Sequence, residues 1–230
     1  MLRIGSQSIA WNRAQPNKGD DVGLFLDSAK IEEVRQAVEL GFLAGVTTNP
    51  TIVAKAKGEP KDIIRQICLI APGPVFYQVT AKTVTERERE GREFFSISAE
   101  KVVLKIPATT ENMALMARLS RDIPCAATAV YGGHQTLVAC EAGARYVIPY
   151  VNRATRLLGD GCKLVAEMAA VIKATGKPAE ILAASIKSAE EATQAVLAGA
   201  NHLTLPLDIL LSLGNHPLSD AAIEEFGRAG

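Results

Sequence analysis

The chain has 230 residues, 48% of them hydrophobic, so it is long enough for one large domain or two small ones. The 25 basic and 25 acidic side chains cancel, which leaves no overall positive charge for binding nucleic acid or an anionic membrane surface. No apolar stretch approaches the roughly 20 residues of a membrane-spanning helix, so we expect no membrane partner either.

Residues 1–21 differ in composition from the rest of the chain. They are polar, with Asn, Gln, Lys and Asp side chains and the single Trp11, and they lack the apolar core of a signal peptide. We expect this segment to be an extension outside the first strand, either partly disordered or a cloning remnant. Residues 22–230 are predicted to form the folded part, including a helix at the C-terminus.

From residue 22 onward, short apolar and β-branched runs alternate with helical patterns. Capping boxes are predicted at Thr85…Glu88 and at Ser188…Glu191. Eight strands are predicted, at residues 22–27, 45–49, 75–79, 101–106, 124–128, 146–150, 181–185 and 202–205.

Strand–helix alternation is typical of parallel strands joined by right-handed crossovers. Eight such units in about 210 residues is the number that closes a (β/α)8 barrel, so we predict the α/β class and a single TIM barrel. A doubly wound open sheet is the alternative. It would usually carry a glycine-rich phosphate loop after its first strand, and the sequence DSAK at 27–30 is not one.

The cysteines and histidines indicate neither disulfides nor a metal site. The cysteines show no CxxC spacing and lie in apolar contexts, which favours reduced core residues and a cytoplasmic location. The three histidines form no HxxxH or HExxH pattern, and we expect neither a metal nor another cofactor. The four cysteines are Cys68, Cys125, Cys140 and Cys162.

Lys105 stands near the end of an otherwise apolar strand, VVLKIP at 102–107. An ammonium group is costly to bury, and burial lowers the pKa of a lysine so that part of it is free amine. A free amine can attack a carbonyl carbon and form a Schiff base. The alternative reading is an edge strand that carries one solvated lysine.

The strand ends are also unusual, because barrel active sites form at the C-terminal ends of the strands. Turn and capping roles can explain Asp, Asn, Thr and Ser residues there, but not Gln78, Lys105 and Tyr150. Side chains alternate along a strand, so Phe76, Val103 and Ile148 should share the interior and surround the amine with apolar groups. Seven of the eight predicted strands end in a polar side chain: Asp27, Asn49, Gln78, Lys105, Thr128, Tyr150 and Ser185.

Six short segments carry these polar residues: LFLD (24–27), GVTTNPT (45–51), VLKIP (103–107), TAVY (128–131), PYVNR (149–153) and AAS (183–185). Together, in this order and spacing, they resemble the small-subunit transaldolase family, which includes the fructose-6-phosphate aldolases. The resemblance runs from about residue 22 to the C-terminus. The N-terminal extension departs from the family pattern.

The resemblance implies a role for each matching residue. Lys105 would form the Schiff base, and Asp27 would assist proton transfers while that adduct forms and collapses. Asn49 would hydrogen-bond the hydroxyl groups of the donor sugar. Arg153 and Ser185 would bind the phosphate of the substrate.

Gln78 and Tyr150 distinguish the two activities of the family. Transaldolases carry glutamate and phenylalanine there, whereas the aldolases carry glutamine and tyrosine, which hold a catalytic water together with Thr128. The resemblance therefore implies a class I aldolase that cleaves fructose 6-phosphate to dihydroxyacetone and glyceraldehyde 3-phosphate. A transaldolase that transfers the dihydroxyacetone unit between sugar phosphates is the alternative, and a barrel that binds sugar phosphates without turnover is a third hypothesis.

The resemblance also implies a ring-based homo-oligomer, often a decamer, in which the C-terminal helix reaches a neighbouring subunit. That helix is predicted over about 217–228. Its apolar residues Leu218, Ile223 and Phe226 would supply the contacts.

Overall fold

The structure is a computed structural model that describes residues 22–229. Its eight strands are parallel and form a closed barrel, in which each strand pairs with the next and the last pairs with the first. The predicted α/β class and (β/α)8 barrel are confirmed, and each strand end lies within two residues of its predicted position. The strands are β1 (Gly23–Asp27), β2 (Leu43–Thr47), β3 (Val75–Gln78), β4 (Val102–Pro107), β5 (Cys125–Val130), β6 (Tyr146–Pro149), β7 (Glu180–Ala183) and β8 (His202–Leu205). The prediction for residues 1–21 lies outside the described residues.

Helices follow every strand, and three of the eight units contain two of them. A break at Gly58 and Pro60 separates the two helices after β2, and Gly159, with φ 93°, ends the first of the two after β6. The helices of the described chain are α1 (Ile31–Glu39), α2 (Pro50–Lys55), α3 (Pro60–Ile70), α4 (Val84–Phe95), α5 (Thr110–Leu119), α6 (Gly133–Glu141), α7 (Val151–Leu158), α8 (Gly161–Thr175), α9 (Ala189–Leu197), α10 (Leu207–Ser212) and α11 (Pro217–Ala229).

The capping box predicted at Thr85…Glu88 is wrong. Helix α4 begins earlier, and Thr83 and Glu86 form a complete capping box at its start. Both pairs have the required spacing, so sequence alone does not separate them. The earlier start also lets Glu90, two turns into α4, accept hydrogen bonds from backbone N–H groups of the preceding loop.

Two apolar layers hold the barrel together. The larger lies between the strands and the helices, and the smaller fills the barrel interior. Phe76, Val103 and Ile148 belong to the interior layer, as the alternation of the strands predicted. The interior residues are Phe25, Phe76, Val103, Ala126, Tyr146, Ile148, Leu182 and Ala184.

Cysteine burial also agrees with the sequence. Cys68, Cys125 and Cys140 are buried free thiols, and Cys162 is a half-buried one. Between residues 22 and 229, no helix is both long and apolar enough to cross a membrane. The same residues contain no group of three His, Cys, Asp or Glu side chains arranged to hold a metal ion.

Candidate active site

Polar side chains line the interior where the strands end at their C-termini, which we call the barrel mouth. Each lies two positions after an apolar interior residue of the same chain segment, so it shares the same face. Gln78 of β3 lies directly opposite Lys105 of β4 in the strand register. Tyr150, which follows β6, forms a bridge with Ala184. The structure thus brings together five predicted site residues: Asp27, Gln78, Lys105, Thr128 and Tyr150.

Lys105 is only 3% exposed, which excludes the alternative of a solvated lysine on an edge strand. Its Nζ donates a hydrogen bond to the carbonyl oxygen of Thr48 at 3.0 Å. Burial lowers the pKa of the Lys105 ammonium group, and the negative charge of Asp27 opposes that shift. No ion pair joins Lys105 to Asp27 in the described chain. The amine is therefore buried near a carboxylate but held apart from it.

Asp27 is anchored by a hydroxyl group of the neighbouring strand. Its Oδ1 accepts a hydrogen bond from Thr47 Oγ1 at 2.9 Å. Thr47 Oγ1 also lies 2.6 Å from Thr204 Oγ1 on β8, the strand on the other side of β1. This contact fixes one carboxylate oxygen and leaves Oδ2 to face other groups.

A second polar group lies across the mouth from Asp27. Thr128 Oγ1 and the Tyr150 hydroxyl are 3.2 Å apart. Burial raises the pKa of Tyr150, against the opposing effects of the Thr128 hydrogen bond and the Arg153 charge. Gln78 Oε1 is buried and receives no hydrogen bond from residues 22–229, so it can accept one from a substrate hydroxyl or from water.

A bulge in β5 follows Thr128 directly. The register against β6 shifts between Thr128 and Val130. Ala129, between them, has φ 56°, a left-handed conformation that is unfavourable for a residue with a Cβ atom. Such strain is typical of functional sites, where the surrounding structure holds a residue in a sparsely populated conformation.

Asn49 lies beyond the end of its strand, because β2 ends at Thr47 rather than at residue 49 as predicted. Asn49 is the N-cap of α2, and its Oδ1 accepts a hydrogen bond from Ile52 N at 3.1 Å. The capping role considered for such residues is thus correct for Asn49. The cap fixes the side chain through Oδ1, and the Nδ2 amide group is available to donate to a ligand.

Arg153 and Ser185 lie on adjacent segments at the mouth. Arg153, in the first turn of α7, is exposed, and its guanidinium carbon is 5.1 Å from the centre of the Tyr150 ring. Ser185 follows β7 with φ 61°, and its carbonyl oxygen accepts a hydrogen bond from Asn152 N at 3.1 Å. No direct hydrogen bond joins Arg153 to Ser185 among the residues described.

Glu191 braces this pair of segments. Ser188 Oγ accepts from Glu191 N at 3.0 Å, as the predicted capping box requires. The reciprocal half of the box is absent, because the Glu191 carboxylate accepts instead from Lys187 N at 2.6 Å and from Asn152 Nδ2 at 3.2 Å. One carboxylate therefore ties the loop that carries Ser185 to the first turn of α7.

The family model described as Transaldolase/Fructose-6-phosphate aldolase matches residues 24–229. The chain belongs to this family. A relative named "Probable transaldolase 1" from Bacillus cereus is 39% identical over 203 residues, which cover 88% of this chain and 94% of the relative. A "Probable transaldolase" from Chlorobium limicola is 37% identical over 211 residues, which cover 88% and 95%. Family membership establishes an enzyme of the transaldolase and aldolase type.

Among solved structures, a mandelate oxidase has a TM-score of 0.59 with 14% sequence identity, over 83% of this chain and 67% of that one. A second mandelate oxidase structure has a TM-score of 0.57, also with 14% identity, over 84% and 66%. At this identity the likeness shows the shared barrel fold alone.

Three buried threonines at or just beneath the mouth were not identified as site residues from the sequence. Thr47 and Thr204 contact each other beside Asp27, and Thr48 supplies the carbonyl that receives the Lys105 hydrogen bond. The alternation of side chains along a strand could have identified Thr47 and Thr204. Apolar neighbours such as Val46 and Leu203 pack outward against the helices, so Thr47 and Thr204 must point inward.

Proposed function

We propose that this protein is a class I aldolase that reversibly cleaves fructose 6-phosphate into dihydroxyacetone and glyceraldehyde 3-phosphate, with Lys105 as the Schiff-base residue. The observation that carries the proposal is the Lys105 amine, which is buried at the mouth of the barrel and forms no ion pair with a carboxylate of residues 22–229. A site that only bound sugar phosphates would gain nothing from a buried amine with a lowered pKa. A structural lysine would be expected to carry a charge partner.

The first step is attack of neutral Lys105 Nζ on the C2 carbonyl of the ketose. The resulting carbinolamine loses its hydroxyl group as water and becomes an iminium ion. Asp27, which acts on Lys105 through its charge, is the group suited to carry protons in this step. The hydrogen bond from Thr47 keeps its carboxylate oriented while it does so.

In the second step the C3–C4 bond breaks and its electron pair moves to the iminium, which becomes an enamine. The C4 hydroxyl loses its proton, and C4 becomes the aldehyde carbon of glyceraldehyde 3-phosphate. Tyr150 and Thr128, in hydrogen-bond contact, and the unsatisfied Gln78 Oε1 supply the donor and acceptor atoms that could hold a water for this proton. Protonation of the enamine at C3 and hydrolysis of the iminium then release dihydroxyacetone and free Lys105.

Substrate binding is assigned to three further residues. The Asn49 amide would donate to hydroxyl groups of the three-carbon donor. Arg153 and Ser185 would bind the phosphate, since a guanidinium and a hydroxyl next to the start of a helix suit an anion. Sugar phosphates are thus the proposed small-molecule partners.

Transaldolase activity is the second candidate, and the names of the relatives favour it. It would use the same Lys105 chemistry, but the enamine would wait for an acceptor aldehyde instead of being protonated. Gln78 and Tyr150 favour the aldolase, because glutamine removes an ionisable group from the mouth and tyrosine adds a hydroxyl that can relay a proton.

The test is a product assay with purified full-length protein and fructose 6-phosphate. An aldolase releases free dihydroxyacetone and glyceraldehyde 3-phosphate in equal amounts without any acceptor. A transaldolase releases glyceraldehyde 3-phosphate at a sustained rate only when erythrose 4-phosphate is added. Absence of turnover in both arms would contradict the proposal and favour a binding protein.

We also propose that the chain assembles into a homo-oligomer, a decamer by family resemblance, through helix α11. Leu218, Ile223 and Phe226 of α11 are 74%, 67% and 72% exposed, and so many large apolar side chains on one short helix favour an interface. Light scattering at micromolar concentration should show an assembly several times the 24.4 kDa chain mass, and Phe226→Glu should weaken it. A monomer under these conditions would contradict the assignment.

A further inference from the structure

A buried chain of hydroxyl groups leads from β8 to the carboxylate of Asp27. Thr204 is 2% exposed and Thr47 is fully buried, and their Oγ1 atoms are 2.6 Å apart. Thr47 Oγ1 in turn lies 2.9 Å from Asp27 Oδ1. Thr204 is the register partner of Phe25, so it belongs one layer below Asp27 in the barrel interior.

The direction of these hydrogen bonds follows from the number of protons. An ionised carboxylate only accepts, so Thr47 must donate its single hydroxyl proton to Asp27. Thr47 can then only accept from Thr204, which must donate. The order is Thr204 to Thr47 to Asp27, and each bond polarises the next.

We propose that Thr204 is a positioning residue for the Schiff-base chemistry, which acts through Thr47 to hold the Asp27 carboxylate beside Lys105 without letting the two groups pair. This inference rests on the proposed function of Lys105. Thr204 does not itself contact the reacting atoms, because it lies beneath the mouth and its hydroxyl is occupied by Thr47.

The position of Asp27 matters because opposite charges attract strongly in a buried site. If Asp27 moved into contact with Lys105, it would favour the ammonium form and remove the free amine that attacks the carbonyl. Asp27 would then also lie too far from the carbinolamine to protonate the hydroxyl group that leaves as water. Removal of the Thr204 hydroxyl group takes away the hydrogen bond that Thr47 accepts. The Thr47 hydroxyl is then free to rotate, and its hydrogen bond to Asp27 is weakened.

A matched set of variants isolates the hydroxyl group of Thr204. Thr204→Val keeps the shape of the side chain and removes the hydroxyl, whereas Thr204→Ser keeps the hydroxyl. Thr136→Val is the control, because Thr136 is also fully buried but its hydroxyl donates to Gly132 O at the start of α6, outside the barrel interior. If Thr204→Val does not fold, Thr204→Cys replaces it, since a thiol is only a weak donor.

The readouts are kcat and KM for fructose 6-phosphate, or for transfer to erythrose 4-phosphate if the wild type requires an acceptor. Thr204→Val should lower kcat by about 2- to 10-fold, the factor for one lost hydrogen bond between neutral hydroxyl groups. KM should stay within about 3-fold, and Thr204→Ser should recover most of kcat. The Thr136→Val control should match the wild type.

The outcomes separate this inference from the proposed function. If the wild type turns over and Thr204→Val keeps its kcat, Thr204 has no positioning role, although Lys105 keeps its own. Equal losses in Thr204→Val and Thr204→Ser, or a loss confined to KM, would also overturn it. A wild type that turns over neither with nor without an acceptor would overturn both.

Discussion

The two ends of the barrel interior use the same strands in opposite ways. At the N-terminal end, which we call the closed end, the rings of Phe25, Phe76, Tyr146 and His202 pack edge to face or tilted, with centroids 5.0 to 5.9 Å apart. At the mouth, one or two repeats further along the same strands, inward-facing side chains are polar, as from Phe25 to Asp27 and from Tyr146 to Tyr150. Because side chains two apart share a face, one or two steps of the strand repeat change a packed interior into a candidate site.

The energetically unfavourable features of the barrel interior lie at the mouth and not at the closed end. The closed end is mostly apolar, and the polar atoms of its histidine have partners: His202 Nδ1 accepts from Gly23 N at 3.0 Å, and Nε2 lies 3.2 Å from Glu180 Oε2. Within residues 22–229, the mouth holds a buried amine without an ion-pair partner, and Gln78 Oε1 without a hydrogen bond. The stable closed end therefore supports a mouth whose groups are arranged for chemistry rather than for stability.

The largest effect is expected from changing the mouth toward the transaldolase pattern. Tyr150→Phe combined with Gln78→Glu removes the hydroxyl that can relay a proton and adds an ionisable group beside Lys105. Cleavage of fructose 6-phosphate without an acceptor should fall by about 10²- to 10⁴-fold, the usual contribution of general acid–base catalysis. Transfer to erythrose 4-phosphate should be kept or gained. If the unmodified protein already transfers much faster than it releases dihydroxyacetone, these two residues do not decide the reaction.

A smaller effect is expected at the rim of the mouth. Arg153→Ala should raise KM for fructose 6-phosphate by about 10- to 100-fold, because it removes a charge-assisted contact to the phosphate. KM for dihydroxyacetone, measured in the synthetic direction, should change little. Arg156, which is also exposed on α7, provides the control variant Arg156→Ala. Equal effects of Arg153→Ala on both substrates would show that Arg153 is structural.

The buried amine should also make stability depend on pH. Burial lowers the pKa of Lys105, so the unfolded chain binds more protons between that value and about 10.4. Burial of the Lys105 charge costs its full free energy at pH values below the pKa of Lys105 in the folded state. This cost disappears as the pH approaches the pKa of Lys105 in the unfolded chain. Lys105→Met should therefore raise the free energy of unfolding by on the order of 1–3 kcal/mol at neutral pH, and by less near pH 10.

Urea unfolding of Lys105→Met and wild type at both pH values measures this difference. The exposed Lys173 of α8 provides the control, because Lys173→Met should show no comparable dependence on pH. A stability difference for Lys105→Met that stays constant with pH, or a variant less stable than the wild type, would contradict the lowered pKa.

The smallest effect on activity is expected at the closed end. Tyr146→Phe makes the same chemical change as Tyr150→Phe, but four residues earlier on the same strand face, with Ile148 between them. It should leave kcat/KM within about 2-fold of the wild type and alter stability by no more than about 1.5 kcal/mol. A loss of activity comparable to that of Tyr150→Phe would show that the two ends are not functionally distinct.

The barrel could be predicted from the sequence because eight apolar runs alternate with helical periodicity and because each buried parallel strand is short and β-branched. Side-chain alternation also predicted which residues share the interior with Lys105. The helix start at Thr83 could not be predicted, since Thr83 and Thr85 both precede a glutamate by three residues.

Site residues were predictable where the residue type is unusual for its position, as for Lys105 and Gln78. Thr47 and Thr204 were not, because threonine is common in strands and carries no signal of its contacts. The left-handed conformations of Ala129 and Ser185 also have no sequence signature, since glycine is the residue that normally indicates one.

The most direct test of the account is chemical trapping of the Schiff base. The protein is incubated with fructose 6-phosphate or dihydroxyacetone, reduced with borohydride, digested and analysed by mass spectrometry. A reduced three-carbon adduct is expected on Lys105 of the wild type and of the Lys173→Arg control, and none is expected in Lys105→Arg, which cannot form an imine. An adduct on another lysine, or catalytic turnover by Lys105→Arg close to that of the wild type, would show that Lys105 is not the Schiff-base residue.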